Sequence, residues 1–201
     1  TNYFETYNKE NVRIVDVNES PIIGLVRDGV ETTEKVYDFD IVVFAIGFDA
    51  MTGALLSIDI TGKNDLTLQE KWNDGPRTYL GLASEGFPNM FTITGPGSPS
   101  VLSNMMTSIE QHVDWIFGCI SHVENQGNTT VEAIGEDENS WMDHVAEVAD
   151  GTLRYSCNSW YVGANIPGKK RIFLPYAGGL PQYSDICDEV ASKGYAGFTI
   201  T

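Results

Sequence analysis

The sequence predicts an α/β fold, and two stretches carry that prediction. Residues 41–47, IVVFAIG, form a continuous run rich in β-branched residues, which is typical of a strand buried on both faces in a parallel sheet. Residues 89–94, NMFTIT, predict another buried strand, which runs into the turn GPGSPS at 95–100 and then into a helical pattern from Ser103. A strand, a glycine turn and a helix in succession indicate a nucleotide-binding sheet.

The strands before this region are predicted from alternation and turn residues. Residues 11–17, NVRIVDV, alternate apolar and polar side chains and predict a first strand. Residues 21–26, PIIGLV, predict a second strand that ends in a tight turn at Asp28-Gly29, because glycine tolerates the positive φ of such turns.

Helical spacing of apolar residues predicts the elements that follow. The long helix after Ser103 is expected to bury Met106, Ile109, Val113, Ile116, Phe117 and Ile120. A second amphipathic helix over 137–153 is expected to bury Trp141, Val145 and Val148. A short helix at 66–72, a strand at 172–176 and a last helix at 185–193 complete the prediction.

Composition excludes several classes of function. With 201 residues, 42% of them apolar, the chain is long enough to fill a core. Its net charge of -16 repels phosphate backbones and anionic lipid, which argues against nucleic acid and membrane surfaces as partners. Cys119, Cys157 and Cys187 are widely spaced and form no C-x-x-C pair, which predicts neither a disulfide framework nor a metal site and favours the cytoplasm.

The turn at 95–100 is a candidate ligand site, because it follows a predicted strand and precedes a helix N-terminus. The alternative is a plain strand-to-helix turn in which glycine and proline have only conformational roles. Ser100 stands where the third glycine of G-x-G-x-x-G would be, so no dinucleotide fingerprint is complete.

Trp160 is a second candidate, because it lies in the loop-like stretch 158–170 rather than on a predicted helix face. Its indole N–H is a directional donor suited to a sugar hydroxyl or a phosphate. The alternative is an anchor whose ring fills a local apolar gap. The adjacent cations at 169–171 either steer a phosphate or form a solvated turn.

The other titratable residues are predicted to have no chemical role. His112, His122 and His144 are expected at the surface. The acidic residues Asp137, Glu138 and Asp143 are expected to interact with the positive end of a helix dipole.

Five longer segments, in this order along the chain, are specific enough to indicate a family. They are FAIGFDAMTGAL (44–55), GPRTYLGL (75–82), GFPNMFTITGPGSPSVLSNM (86–105), SIEQHVDWI (108–116) and NSWYVGANIPGK (158–169). Together they resemble the C-terminal part of Baeyer–Villiger monooxygenases, which are members of the flavin-containing monooxygenase superfamily.

The resemblance implies the C-terminal part of a two-domain flavoprotein monooxygenase with Rossmann-like FAD and NADP domains. Residues 1–48 would end the NADP-binding domain. Residues 49–201 would form the C-terminal part of the FAD-binding domain, including an NADP-contacting loop at 158–170. The implied reaction is NADPH-dependent: one oxygen atom of O2 is inserted next to a ketone carbonyl to give an ester or lactone.

The resemblance also implies roles for individual residues. Met105 corresponds to a residue that contacts the flavin, and Trp160 to the tryptophan that donates to NADP. Ser100, Val101 and Leu102 correspond to a bulge that lines the ketone pocket.

Three family features find no match in this chain: the FAD fingerprint, the family signature and the NADP glycine loop. The resemblance also implies an arginine that stabilises the flavin peroxide, and none of the arginines of this chain aligns with it, so we assign no catalytic residue. We expect the chain to be inactive on its own. Two alternatives stay open, a flavin monooxygenase that oxygenates nitrogen or sulfur and a non-catalytic domain derived from this fold.

Overall fold

The structure is a computed structural model that describes residues 2–153 and 156–201. The chain divides into two compact units, Thr1–Ile46 and Gly47–Thr201. The helices are α1 (Tyr3–Tyr7), α2 (Gly53–Leu56), α3 (Leu68–Lys71), α4 (Met105–Asn125), α5 (Gly135–Asp150) and α6 (Leu180–Ser192). The strands are β1 (Ile22–Val26), β2 (Gly29–Thr32), β3 (Val36–Asp38), β4 (Val131–Ala133) and β5 (Phe198–Ile200). None of the helices described is long and apolar enough to cross a membrane.

The first unit is built around an antiparallel sheet in the order β1-β2-β3. Val26 pairs with Gly29, so the first hairpin turns through Arg27 and Asp28. The predicted tight turn is therefore present, one residue earlier than expected. Gly29 is required by a close approach, because a Cβ there would lie 1.9 Å from the carbonyl oxygen of Tyr37.

Two strands predicted in the first fifty residues are absent. Residues 11–17 form no strand, and the apolar run at 41–47 is irregular. Ile41 is 80% exposed and Val43 is 79% exposed. A strand forms only where its backbone N–H and C=O groups find a partner strand, and the described residues provide none for this run. The two-sided burial predicted for 41–47 is therefore wrong for this chain.

The second unit packs α4, α5 and α6 around a core rich in aromatic residues. The short antiparallel pair β4-β5 closes one side of this core, with Ala133 opposite Phe198. Trp115 of α4 packs against Phe198 with ring centroids 5.8 Å apart. Its indole N–H donates to the carbonyl oxygen of Cys187 on α6 at 2.8 Å, which joins the two helices.

Helix α4 buries a different face from the predicted one. Its buried residues are Ser108, His112, Trp115, Cys119 and Val123. Four residues of the predicted face are exposed: Met106, Val113, Phe117 and Ile120. Both sets recur at helical spacing, so periodicity does not choose between them. The ring and indole contacts of Trp115 select the face that is buried.

The other long helices confirm their predictions, although both begin earlier than expected. Helix α5 buries Trp141 and Val145, and α6 buries Tyr183 and Cys187. Helix α3 covers the middle of the short helix predicted at 66–72.

The segments 89–94 and 172–176 are not strands. Positive φ angles at Asn89 (59°) and Thr94 (55°) interrupt the first segment. The second is largely buried, but its backbone bonds to turns rather than to a neighbouring strand. Both predictions are wrong because the apolar content of a segment predicts its burial. It does not predict which groups its backbone N–H and C=O groups will bond to.

Candidate functional site

The turn at 95–100 is held by a buried segment that contains Leu174. The backbone N–H of Gly97 donates to the carbonyl oxygen of Leu174 at 2.7 Å, and that of Ser98 donates to Gly95 at 3.2 Å. Because these two N–H groups already donate to carbonyl oxygens of the chain, they are not free to bind an anion. The turn is therefore a scaffold for the residues that follow it.

Those residues form a single-turn 3-10 helix, Ser100–Leu102. Ser100 is buried, with a φ of 40°, and Val101 is 37% exposed. Ser103 closes the turn, because its N–H and its hydroxyl both donate to the carbonyl oxygen of Ser100, at 3.1 and 3.0 Å. The turn thus encloses Ser100 and leaves Val101 accessible.

Met105 begins helix α4 and lies against the same turn. Its sulfur is 3.9 Å from the hydroxyl oxygen of Ser100, and its side chain is 37% exposed. The side chain of Asn104 caps the helix by accepting from the N–H of Met106 at 3.1 Å. The structure therefore brings Ser100 and Met105 into contact and leaves both Met105 and Val101 accessible.

Trp160 begins another single-turn 3-10 helix, Trp160–Val162, in the loop predicted at 158–170. Its ring packs on Tyr161 with centroids 4.2 Å apart. The other three tryptophans, Trp72, Trp115 and Trp141, donate their indole N–H to backbone carbonyls. Within residues 2–153 and 156–201, the indole N–H of Trp160 has no hydrogen-bond partner. The hydroxyl of the neighbouring Ser159 is also buried without a described partner.

A small apolar cluster connects the two turns. Leu102 and Tyr161 both pack against the cluster formed by Ala149, Val162 and Phe173. The N–H of Leu174, whose carbonyl holds the glycine turn, donates to the carbonyl oxygen of Tyr161 at 2.8 Å. The 100–105 region and the Trp160 loop are thus built on one buried segment.

The three adjacent cations at the end of this loop are paired within the chain. Lys169 bonds to Asp49, Lys170 to Asp74 at 3.1 Å, and Arg171 to Asn158. The loop turn is therefore more constrained than a solvated cationic turn. The signal for these pairs is weak in the sequence, because Asp49 lies 120 residues before Lys169.

His112 is buried, so its predicted surface position is wrong. Its Nδ1 atom accepts from the N–H of Thr94 at 2.9 Å, and its ring packs edge-on against Tyr183 at 5.5 Å. Burial lowers the pKa of His112 to about 4, so the ring is neutral at physiological pH. His112 fixes the chain just before the glycine turn. His122 and His144 are partly buried.

Glu138, like His112, is a polar residue whose burial the sequence did not predict. The sequence predicts a carboxylate at a helix start, and Glu138 lies in the first turn of α5, but it is 1% exposed and contacts Lys71. A carboxylate in a first helical turn is usually solvated, so only the tertiary structure identifies this one.

Solved flavoprotein monooxygenases match the fold over the entire chain. A steroid monooxygenase bound to NADP is 46% identical, with a TM-score of 0.84, and 37% of its length is covered. The enzyme OTEMO in complex with FAD and NADP is 38% identical, with a TM-score of 0.91 and the same coverage. The fold is therefore that of the C-terminal part of a two-domain, FAD- and NADP-binding flavoprotein monooxygenase.

Sequence comparison narrows this class. Acetone monooxygenase (methyl acetate-forming) from Gordonia sp. (strain TY-5) is 42% identical over 203 residues, covering 100% of this chain and 38% of the relative. A Baeyer–Villiger monooxygenase from Pseudooceanicola batsensis is 39% identical, with 96% and 35% covered. A phenazine N-monooxygenase from Lysobacter antibioticus is 40% identical, with 98% and 36% covered. No protein-family model matches the chain.

The predicted resemblance to Baeyer–Villiger monooxygenases is thereby confirmed along the whole chain. The chain spans less than two fifths of the length of the curated relatives it matches. The sequence identities given above therefore describe only the matching part of each relative.

Proposed function

We propose that this chain is the C-terminal part of an NADPH- and FAD-dependent Baeyer–Villiger monooxygenase. The reaction takes a ketone, O2, NADPH and a proton to an ester or lactone, water and NADP+. The observation that carries the proposal is the 42% identity, over the full chain, to an enzyme whose name describes conversion of acetone to methyl acetate. That conversion adds one oxygen atom next to a ketone carbonyl.

The domain assignment follows the same proposal. Residues 1–48 end the NADP-binding domain, and residues 49–201 form the C-terminal part of the FAD-binding domain. The structure divides the chain at a nearby position, between Ile46 and Gly47. OTEMO, which matches the whole chain, has been solved with both FAD and NADP, which supports two cofactor domains.

The described residues fit an NADP group beside Trp160. The hydroxyl of Ser159 is buried without a described partner, and buried polar groups are normally hydrogen-bonded. The indole N–H of the neighbouring Trp160, a partly buried residue, also has no described partner. We assign the Trp160 N–H as a donor to the sugar or phosphate of NADP.

The residues at 100–105 fit the flavin and the ketone. Met105 is a partly exposed residue with a flexible, polarisable side chain, which suits contact with a planar ring. Val101 offers an accessible apolar side chain, and we assign it to the wall of the ketone pocket, with Ser100 enclosed in the turn behind it and Leu102 partly buried beside it.

When bound, FAD reduced by NADPH supplies the oxygen chemistry. The residues of this chain bind and orient the reactants, and none is assigned a catalytic role. The buried segment behind both turns positions the ketone pocket relative to the NADP donor.

The partners in this proposal are a small ketone and O2. The net charge of -16 argues against nucleic acid as a further partner. The free cysteines Cys119, Cys157 and Cys187 are compatible with a cytoplasmic location.

A segment exchange tests the proposed function. The matching region of the Gordonia acetone monooxygenase is replaced by this chain, which aligns with it over 203 residues. We expect the hybrid to retain flavin absorbance, to oxidise NADPH faster when acetone is present, and to form methyl acetate. The isolated 201-residue chain, measured alongside, is expected to lose added FAD on desalting.

A second candidate is nitrogen oxygenation, which the 40% identity to phenazine N-monooxygenase favours. Product analysis of the hybrid separates the two functions. Phenazine N-oxide without any ester would favour the second candidate, and a hybrid that binds flavin but oxygenates neither substrate would support a non-catalytic domain.

A further inference from the structure

The loop that carries Trp160 is attached to an earlier part of the chain by Lys169. The ammonium group of Lys169 donates to the carboxylate of Asp49 and, at 2.7 Å, to the hydroxyl of Thr52. The side chain of Lys169 is 16% exposed and that of Asp49 is 35% exposed. A partly enclosed pair of this kind is screened by salt much less than a surface pair.

Two further contacts involve the loop, one with the same region and one within the loop itself. The side-chain amide of Asn165 donates to the carbonyl oxygen of Phe48 at 2.9 Å. The stem of Lys169 passes beside Gly163, where a Cβ would lie 3.0 Å from its Cδ. The end of the loop is therefore fixed by one ion pair and one amide contact, both to the segment at 48–52.

From this geometry we infer that Lys169 and Asp49 form a latch that holds the Trp160 loop in place and thereby sets the affinity for NADP. The inference rests on the proposed function, in which Trp160 donates to NADP. Lys169 is a positioning residue, because Asp49 and Thr52 already engage its ammonium group. A loop ordered in advance binds its ligand at a lower entropic cost.

Hydrogen exchange of the isolated chain tests the latch without any cofactor. The amides of Gly163, Ala164 and Ile166 donate within the loop and report its order. We expect Lys169→Met to speed their exchange by roughly tenfold, the loss of about one charge-assisted hydrogen bond. Unchanged exchange in a folded Lys169→Met protein would overturn the latch.

The matched control is Lys170→Met, because Lys170 forms an exposed ion pair with Asp74 one residue further along. This change is expected to leave exchange of the loop unchanged. Lys169→Arg should restore most of the protection, since it keeps the charge. Asp49→Asn provides a second variant, and its effect should not add to that of Lys169→Met if the two residues act as one pair.

The hybrid enzyme described above tests the link to NADP. Lys169→Met is expected to raise the dissociation constant of NADP+ roughly tenfold, while FAD retention and the KM for the ketone stay unchanged. Lys170→Met should alter none of the three. Faster loop exchange with unchanged NADP+ affinity would overturn the positioning role, even in an active hybrid.

Hydrogen exchange in the isolated chain and NADP+ binding by the hybrid together distinguish a failure of this inference from a failure of the proposed function. A hybrid that does not bind NADP+ at all would contradict the proposed function, while exchange in the isolated chain would still decide whether the latch exists. An active hybrid with a Lys169→Met variant that behaves as wild type in both arms would contradict the latch alone.

Discussion

The Nζ atom of Lys71 lies 2.8 Å from Oε2 of Glu138, a carboxylate that is only 1% exposed. The other carboxylate oxygen accepts from the backbone N–H of Glu85 at 2.9 Å. Burial by itself would lower the pKa of Lys71, but hydrogen bonds to Glu138 and Glu85 outweigh it and raise that pKa. The lysine therefore stays charged, and the enclosed pair ties α5 to α3.

Replacing Glu138 is expected to destabilise the fold. Glu138→Ala leaves Lys71 with Glu85 as its remaining carboxylate partner and removes the acceptor of the Glu85 N–H. It should lower the free energy of unfolding by about 2 kcal/mol, as measured by urea denaturation. Glu138→Gln should have a smaller effect, because the amide oxygen can still accept from Glu85. Glu136→Gln, an exposed change in the same first turn, should stay within about 0.5 kcal/mol of wild type. Equal stability of the Glu138→Ala and Glu136→Gln variants would contradict a structural role for the pair.

Gly81 lies against the backbone of the turn at 95–100, and replacing it tests whether a side chain fits there. Its φ is +71°, and a Cβ would lie 2.5 Å from the backbone nitrogen of Ser98. Gly81→Ala combines backbone strain with this clash and should lower the free energy of unfolding by more than about 2 kcal/mol. Gly127→Ala is the control, because its φ is +74° but nothing lies within 4 Å, so only about 1 kcal/mol of strain is expected. A similar loss in both variants would show that the clash with the turn is relieved.

The helices of the fold could be predicted because their signal is local. Helix α5 follows from the spacing of Trp141 and Val145, and its existence depends little on the rest of the chain. The buried face of α4 could not be predicted, because two sets of residues share the helical period. Tertiary contacts distinguish them, such as those of Trp115 with Cys187 and Phe198. The strand predicted at 21–26 is present as β1, but those predicted at 41–47 and 89–94 are absent, since these segments have the composition of strands but no described partner.

The candidate site, too, has residues that could be predicted from the sequence and contacts that could not. The resemblance predicts roles for Met105 and the 100–102 turn, and Trp160 is also a candidate from its place in a loop. The structure adds that Leu102 and Tyr161 pack on one apolar cluster and that Met105 contacts Ser100. The latch could not be predicted, because Lys169 and Asp49 are 120 residues apart and each is an ordinary charged residue in its own segment.

The role of Trp160 can be measured directly in the hybrid enzyme. Trp160→Phe keeps an aromatic ring in the loop and removes the indole N–H, the one tryptophan donor without a described partner. The dissociation constant of NADP+ should rise roughly fivefold, which corresponds to about 1 kcal/mol for one hydrogen bond.

The control is Trp72→Phe, which removes an indole bond to the carbonyl oxygen of Arg77. It should lower stability and leave NADP+ affinity unchanged. If Trp160→Phe binds NADP+ as tightly as wild type, Trp160 is a packing residue and not a cofactor donor.

His112 should make stability depend on pH in the mildly acidic range. Its pKa is lowered by burial from 6.5 to about 4, so the unfolded chain binds a proton at a higher pH than the folded chain does. The stability contributed by the neutral ring is therefore complete above the unfolded pKa and is lost as the pH falls from about 6.5 towards 4, by up to about 3 kcal/mol.

His112→Gln retains an acceptor for Thr94 and cannot titrate, so the difference in unfolding free energy between wild type and this variant should narrow, or change sign, as the pH falls. A wild-type slope that matches that of His112→Gln would mean that the ring is protonated in the folded state, and then the bond from Thr94 to Nδ1 could not form.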